Sequence, residues 1–426
     1  MKQPDRNTTC DSYLRRAGML LLLVGSICSL GLIAQKQPLS NPPASQVATL
    51  PALPKTPTAT DLVRTGDEFM LLQRESNVGR LHDLAEKDYR AALALDPTHA
   101  DALLGLAWVH STRHNFTAAS DYARQALRIN PRLQTAYSLL SDAAVELGNY
   151  DEAFQHCQAA LDLAPNLTSY SRAAHLLWLT GAPQQAHALM QKAIKSGGTR
   201  PEHIAWCRVE LAQMHLQAGN IAAAEQEATL ALRELPRHPR MLLTMGRIKA
   251  AKEEFTAAEQ FYERALKIEP SHDVLLALGD LQLRQSRRTE AEKTFQRLIQ
   301  LHTLDSTHPA QLARFYADHD RRLPEALAAA EAAHRESKSI YVLDTLAWCL
   351  HKNGQHAKAK SVIQEALKWH TPDASILYHA GMIHSQLGDK QSSRQYLSQA
   401  LQRNPLLSPF EAANARQELA RNDSSE

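Results

Sequence analysis

Cysteine, glycine and aromatic residues are all scarce in this chain. Its 426 residues include 5 cysteines, 16 glycines and 6% aromatics. Cys10, Cys28, Cys157, Cys207 and Cys349 form no CxxC pair. The last three lie far apart in apolar helical stretches, so they read as small buried hydrophobes rather than a disulfide framework. Few aromatics, with alanine and leucine dominant, favour packed helices over sheets. The formal net charge is only +2, and beyond residue 34 acids and bases balance. A nucleic-acid binder shows a basic excess or stripe, so no nucleic acid is expected as a partner. The sequence also lacks a phosphate-binding glycine loop, HExxH and GxSxG, which leaves no catalytic residues to name and no cofactor to expect. Histidine, by contrast, is frequent at 20 residues, and it carries the alternative reading of a metal-handling protein or enzyme. His110 and His114 lie one helical turn apart, but no glutamate follows His110 and a turn begins at Asn115. His379 and His384 are five apart, poor helical geometry for sharing an ion. No metal site is expected.

The N-terminus carries the longest apolar run. Residues 1–16 are polar and include Lys2, Arg6, Arg15 and Arg16; Ala17–Ala34 then run 18 residues without a charge. At about 1.5 Å per residue, such a helix just crosses a hydrocarbon core of roughly 30 Å. A cleaved signal peptide, leaving a secreted protein, competes with this reading, but Leu32 spoils the small-x-small cleavage pattern before Ala34. The favoured reading is an uncleaved single span. Because the basic flank precedes it, residues 1–16 are expected in the cytoplasm and the rest outside, periplasmic or extracellular. Residues 35–60 hold six prolines and no glycine, the composition of an extended linker.

From there the chain repeats itself with a period near 34. Ala85, Ala119, Ala153, Ala186, Ala224, Ala258, Ala291, Ala326, Ala359 and Ser393 mark one phase. Seven residues after each comes Ala92, Ala126, Ala160, Ala193, Ala231, Ala265, Leu298, Ala333, Ala366 and Ala400. A third phase, twelve residues before the first, is again mostly small: Ala107, Ser141, Ala174, Ala212, Gly246, Gly279, Ala347 and Gly381. Ala313 joins it if the turn 318–323 holds one extra residue, and Gln73 departs from it. A small side chain lets two helix backbones approach closely. Gly148, Gly181, Gly219, Gly354 and Gly388 sit where a turn between helices is needed, and Pro97, Pro131, Pro165, Pro236, Pro270 and Pro405 end second helices. Each unit is then a helix–turn–helix pair with an apolar face that only a neighbouring unit covers.

This pattern resembles the tetratricopeptide repeat family over about ten units, starting near residues 66, 100, 134, 167, 205, 239, 272, 306, 340 and 374. The expected fold is all-α: a right-handed superhelical solenoid over 61–405, then a capping helix and polar tail over 406–426. Ser408, Pro409 and Glu411 open that last helix as a capping box with proline in its first position. The resemblance implies a scaffold whose first helices line a concave groove that binds other proteins or peptide segments. It places Trp108, Trp178, Trp206 and Trp348 at groove positions, with Tyr341, Tyr378, Asp344, His351 and Lys352 beside them. A basic clamp for a carboxylate would need cations in adjacent units; Arg240 and Arg247 share one unit and Arg284 lies in the next. The composite expectation is a membrane-anchored, non-catalytic adaptor acting in assembly of cell-envelope complexes.

Overall fold

A computed structural model describes residues 54–76, 80–197, 201–304, 309–404 and 408–423. The expected anchor, 17–34, and most of the linker lie outside the described residues. Among the described residues every regular element is an α-helix, and none is long and apolar enough to cross a membrane. The helices run in pairs: α1 (Ala59–Ser76) with α2 (Arg80–Leu95), α3 (Ala100–Thr112) with α4 (Phe116–Ile129), and α5 (Gln134–Glu146) with α6 (Tyr150–Leu163). Next come α7 (Leu167–Leu179) and α8 (Pro183–Ser196), α9 (Pro201–Gln217) and α10 (Ile221–Glu234), and α11 (Pro239–Ala251) and α12 (Phe255–Ile268). Then follow α13 (His272–Arg284) and α14 (Arg288–Leu304), α15 (Pro309–Asp318) and α16 (Leu323–Glu336), and α17 (Ile340–Lys352) and α18 (His356–Leu367). The last pair is α19 (Ala374–Gln386) and α20 (Lys390–Arg403), followed by a single helix, α21 (Pro409–Asp423). The first helix begins at Ala59, seven residues ahead of the repeat phase. The chain divides into two compact units, Met1–Ala173 and Ala174–Glu426, and the division falls within α7.

The period of small residues is a packing device. All ten residues of the first phase, Ala85 through Ser393, are at most 1% exposed. The third phase seats the largest side chains of the second helices. A Cβ at Gly246 would lie 2.3 Å from the Tyr262 ring, and one at Gly279 would lie 2.2 Å from Phe295. The first pair, with Gln73 at this phase, packs Tyr89 differently: its ring fills the space left by Gly66 and Gly105. Turns are equally regular. Gly148, Gly181, Gly219, Gly354 and Gly388 all take positive φ, between 73° and 81°. His114, Glu253 and Ser286 occupy the same turn position in other pairs and adopt the same left-handed backbone. The α15–α16 turn, 319–322, is one residue longer than turns such as 252–254; it absorbs the extra residue and leaves Ala313 fully buried.

Within each unit helices of a pair pack antiparallel, and several first helices also touch the next first helix: α1 with α3 and α3 with α5 in one unit, α9 with α11, α11 with α13, α15 with α17 and α17 with α19 in the other. Among the described residues second helices make no comparable contact with each other. The layer of first helices therefore lies on the inside of the curve in each unit. The capping box at α21 is formed reciprocally: Ser408 N donates to Glu411 Oε2 at 3.2 Å, and Glu411 N donates to Ser408 Oγ at 3.3 Å.

Ala153 is fully buried, and its carbonyl accepts a bond from Ser141 Oγ at 3.0 Å across the pair. Ala153→Leu is expected to overpack this contact and cost about 1–3 kcal/mol. In a stack of neighbours the damage should be local. Hydrogen exchange should rise first in α5 and α6; a uniform rise through every pair would contradict the nearest-neighbour packing.

Candidate protein-interaction face

The inner face is built on ion pairs between residues 30 apart, one on each of two successive first helices. Arg172 Nε donates to both carboxylate oxygens of Asp142 at 2.9 Å. Arg240 pairs with Glu210, and Arg314 Nη1 donates to Asp344 Oδ2 at 2.7 Å. A spacing of 30 is one repeat less one helical turn, which sets the two residues opposite each other across the seam. The three arginines weighed as a clamp are all engaged by acids. Besides Arg240, Arg247 lies 3.7 Å from Asp273, and Arg284 binds Glu253 at 2.8 Å and the Ala250 carbonyl at 2.9 Å.

The tryptophans divide into two classes. Trp108 is half-buried against the core of the first unit. Trp206 is also half-buried; the Arg240 guanidinium stacks 4.4 Å above its ring and His238 meets it edge-on at 5.3 Å. Trp178 and Trp348 are only 3% and 4% exposed, where the sequence led us to expect groove-facing rings. His187 lies 5.8 Å from the Trp178 ring. The Trp348 ring stacks on His379 at 4.2 Å and on His351 at 4.9 Å, and its Nε1 donates to Asp318 Oδ1 at 2.9 Å.

Around Trp348 the structure gathers most of the other expected residues into one polar node where α15, α17, α19 and α21 meet. Asp344, 1% exposed, accepts from Arg314 and binds His379 Nδ1 at 2.7 Å. Burial alone would raise the Asp344 carboxyl, but His379 and Arg314 hold it below the usual range. Arg314 Nε also donates to Asp318, and its Nη2 lies 3.7 Å from Glu411. Tyr378 is buried, and its hydroxyl accepts from Asn414 at 3.4 Å. Tyr341 stays half-buried at the edge of a cavity. Lys352 pairs with Asp320 at 2.6 Å beside the Trp348 ring. His351 lies 3.2 Å from His356, ring nitrogen to ring nitrogen. Arg314, Asp318, His379 and Glu411 escape a reading by repeat phase, though the 30-residue spacing from Asp344 marks Arg314. Elsewhere His110 stacks on Tyr122 at 5.3 Å, and among the described residues no three His, Cys, Asp or Glu converge on a metal position.

Models described as tetratricopeptide repeat match residues 74–131, 107–167, 209–273, 243–306, 340–369 and 374–405, together more than half of the chain. No curated protein gives a significant match. Among solved structures the chain is similar to pilF of Pseudomonas aeruginosa, with 20% identity over 50% of this chain and 96% of that one, at a TM-score of 0.41. It is similar to yeast Tom70, with 12% identity over 86% and 96% and a TM-score of 0.37. A human IFIT1 dimer with PPP-AAAA shows 14% identity over 80% and 84%, with a TM-score of 0.46.

Burial first, then His356 and Lys352, push the His351 imidazole down to about 3. The unfolded chain would titrate near 6.5. The native state therefore gains from a neutral His351 above about pH 6.5 and loses that stability as pH falls toward 3, by up to about 1.4 kcal/mol per pH unit. Denaturant melts at pH 6.5 and 5 should show the wild type losing about 2 kcal/mol more than His351→Gln. Equal losses would show that this imidazole is not held neutral.

Proposed function

As a member of the tetratricopeptide repeat family, the chain acts, we propose, as a non-catalytic scaffold that binds partner proteins on its inner face. The observation carrying this reading is the layer of first helices, which touch each other along each unit and present Trp108, Trp206 and Tyr341 half-buried. A half-buried aromatic held in place by its neighbours loses little freedom on binding, which is why such residues dominate interaction hot spots. Trp206 is the best supported of these, since Arg240 holds one face of its ring while the side chain keeps exposed surface.

We place the scaffold at a membrane. The uncharged run 17–34, preceded by Lys2, Arg6, Arg15 and Arg16, supports an uncleaved anchor with a cytoplasmic N-terminus and repeats outside. The proline-rich segment 35–60 suits a spacer holding the repeats off the bilayer, where they would recruit components of an envelope complex. Protease added to cells with a permeabilised outer layer should digest the repeats; full protection would reverse the orientation.

The interaction face is tested by truncating tryptophans one at a time and measuring both melting and cross-linked capture of native partners. Trp206→Ala should lower partner affinity about thirtyfold, the equivalent of roughly 2 kcal/mol at a hot spot. Trp348→Ala, in contrast, should cost about 3–5 kcal/mol of stability. Unchanged capture by both Trp108→Ala and Trp206→Ala would remove the inner face from the binding site.

A further inference from the structure

A cavity of about 240 Å³ opens beside the polar node, lined among others by Gln217, Arg314, Tyr341, Asp344, Asp373 and Ser375. At about 30 Å³ per water it has room for roughly eight waters, or one charged head group with part of its stem. Ser408 on its lining is exposed, so the cavity reaches solvent. Gln217 comes from α9, five repeats away from α19, and its Nε2 meets Asp373 Oδ2 at 3.3 Å.

Hydrogen-bond donors around the cavity are largely spent. Arg314 gives Nε to Asp318 and Nη1 to Asp344. The N–H groups of Ser375 and Ile376 go to Asp373 Oδ1 at 2.9 and 3.4 Å, and Ser375 Oγ goes to Glu411 Oε2 at 3.2 Å. Acceptors are not. Asp373 Oδ2 has only the long Gln217 bond, and Glu411 Oε1 lies 3.7 Å from both Arg314 Nη2 and His379 Nε2, beyond hydrogen-bond reach. His379 has no exposed surface, and its Nε2 has no hydrogen-bond partner.

The charges lean the same way. Asp344 and Asp373 line the cavity with Arg314, and the node behind them adds the carboxylates Asp318 and Glu411 and the imidazole of His379. Asp318 keeps part of its side chain exposed, and the more deeply set Asp344, Asp373 and Glu411 still outnumber Arg314 and His379, an excess of buried charge of one sign that is costly. Protons or a bound cation relieve it. Burial and the neighbouring Asp344 raise the Asp373 carboxyl; burial raises Glu411 in spite of His379 and Arg314. An anion would find few donors left on Arg314, and an apolar group would deepen the burial without supplying charge.

We propose that this cavity receives the arginine or lysine side chain of a bound protein segment, with Asp373 as the principal acceptor. The assignment rests on the scaffold reading and names the chemistry of its partner: a segment with an accessible basic residue.

Isothermal titration of the full-length chain in detergent tests it, using acetylated nonapeptides of alanine and serine with a central arginine, lysine or citrulline. Arginine and lysine peptides should bind, and neutral citrulline should bind at least about tenfold more weakly. Asp373→Asn retains a competent helix cap and should keep wild-type melting while losing about tenfold in affinity for the arginine peptide. Gln217→Ala, outside the node, should alter peptide affinity without loss of folding. Absence of arginine-peptide binding, equal binding of citrulline, or unchanged affinity in folded Asp373→Asn would each overturn the assignment. Free arginine binding as tightly as the peptide would overturn a protein source. Native partner capture that is lost in Trp206→Ala but intact in Asp373→Asn would sink this inference and leave the scaffold standing.

Discussion

The architecture depends on one close approach, the crossing of two helices inside each pair. At that crossing one of the two side chains must be small, because protein interiors pack at crystal-like density. Glycine on the first helix meets a bulky partner sixteen residues later: Gly246 with Tyr262, Gly279 with Phe295, Gly381 with Leu397. Where the first helix carries alanine, the partner ranges from another alanine, as with Ala107 and Ala123 or Ala212 and Ala228, to a full-sized side chain, as with Ala174 and Met190 or Ala347 and Ile363. What recurs is the small residue on the first helix, while its partner varies in size. This is why strict identity is unnecessary and a phase of small residues is enough.

That phase was readable in the sequence because it repeats at constant spacing and demands one property, small size. Turn glycines and the capping box were readable for a similar reason: a left-handed backbone and a helix start have local chemical signatures. The fate of the tryptophans was not. Trp206 and Trp348 both sit on the inner layer of first helices, but one keeps exposed surface while the other is enclosed by His351 and His379. His351 was expected in the groove, but that it and His379 would close over Trp348 depends on contacts between helices that a periodic reading does not give. Arg314, of the eighth pair, and Glu411, of the closing helix, likewise meet only once the stack has formed.

Ion pairs along the seam do a different job from the small residues. A buried or half-buried pair adds little net stability, since desolvation offsets most of the attraction. Its geometry is demanding, however. The 30-residue relation of Asp142 with Arg172, Glu210 with Arg240 and Arg314 with Asp344 is satisfied only when successive first helices are in register. Small residues set how close the helices come, and the charges set where along their length they align. The division explains how a nearly neutral chain spends so many charged residues on its inner face.

Register pairs need one acid for one base, and a chain built only to stack has no reason to exceed that ratio in a buried place. At the node of α15, α17, α19 and α21 it is exceeded. Asp344 already has Arg314 and His379, yet Asp373 and Glu411 are added beside them, and both are raised by their burial. Natural sequences depart from their own packing rules chiefly at functional positions. The excess also sits where Gln217 of α9 reaches Asp373, so a group seated there would touch two distant stretches of one unit. Occupancy would then favour the arrangement in which those stretches meet, by as much as the occupant prefers it to the alternative. In that way a local surplus of carboxylate would couple binding to the contact between Gln217 and Asp373.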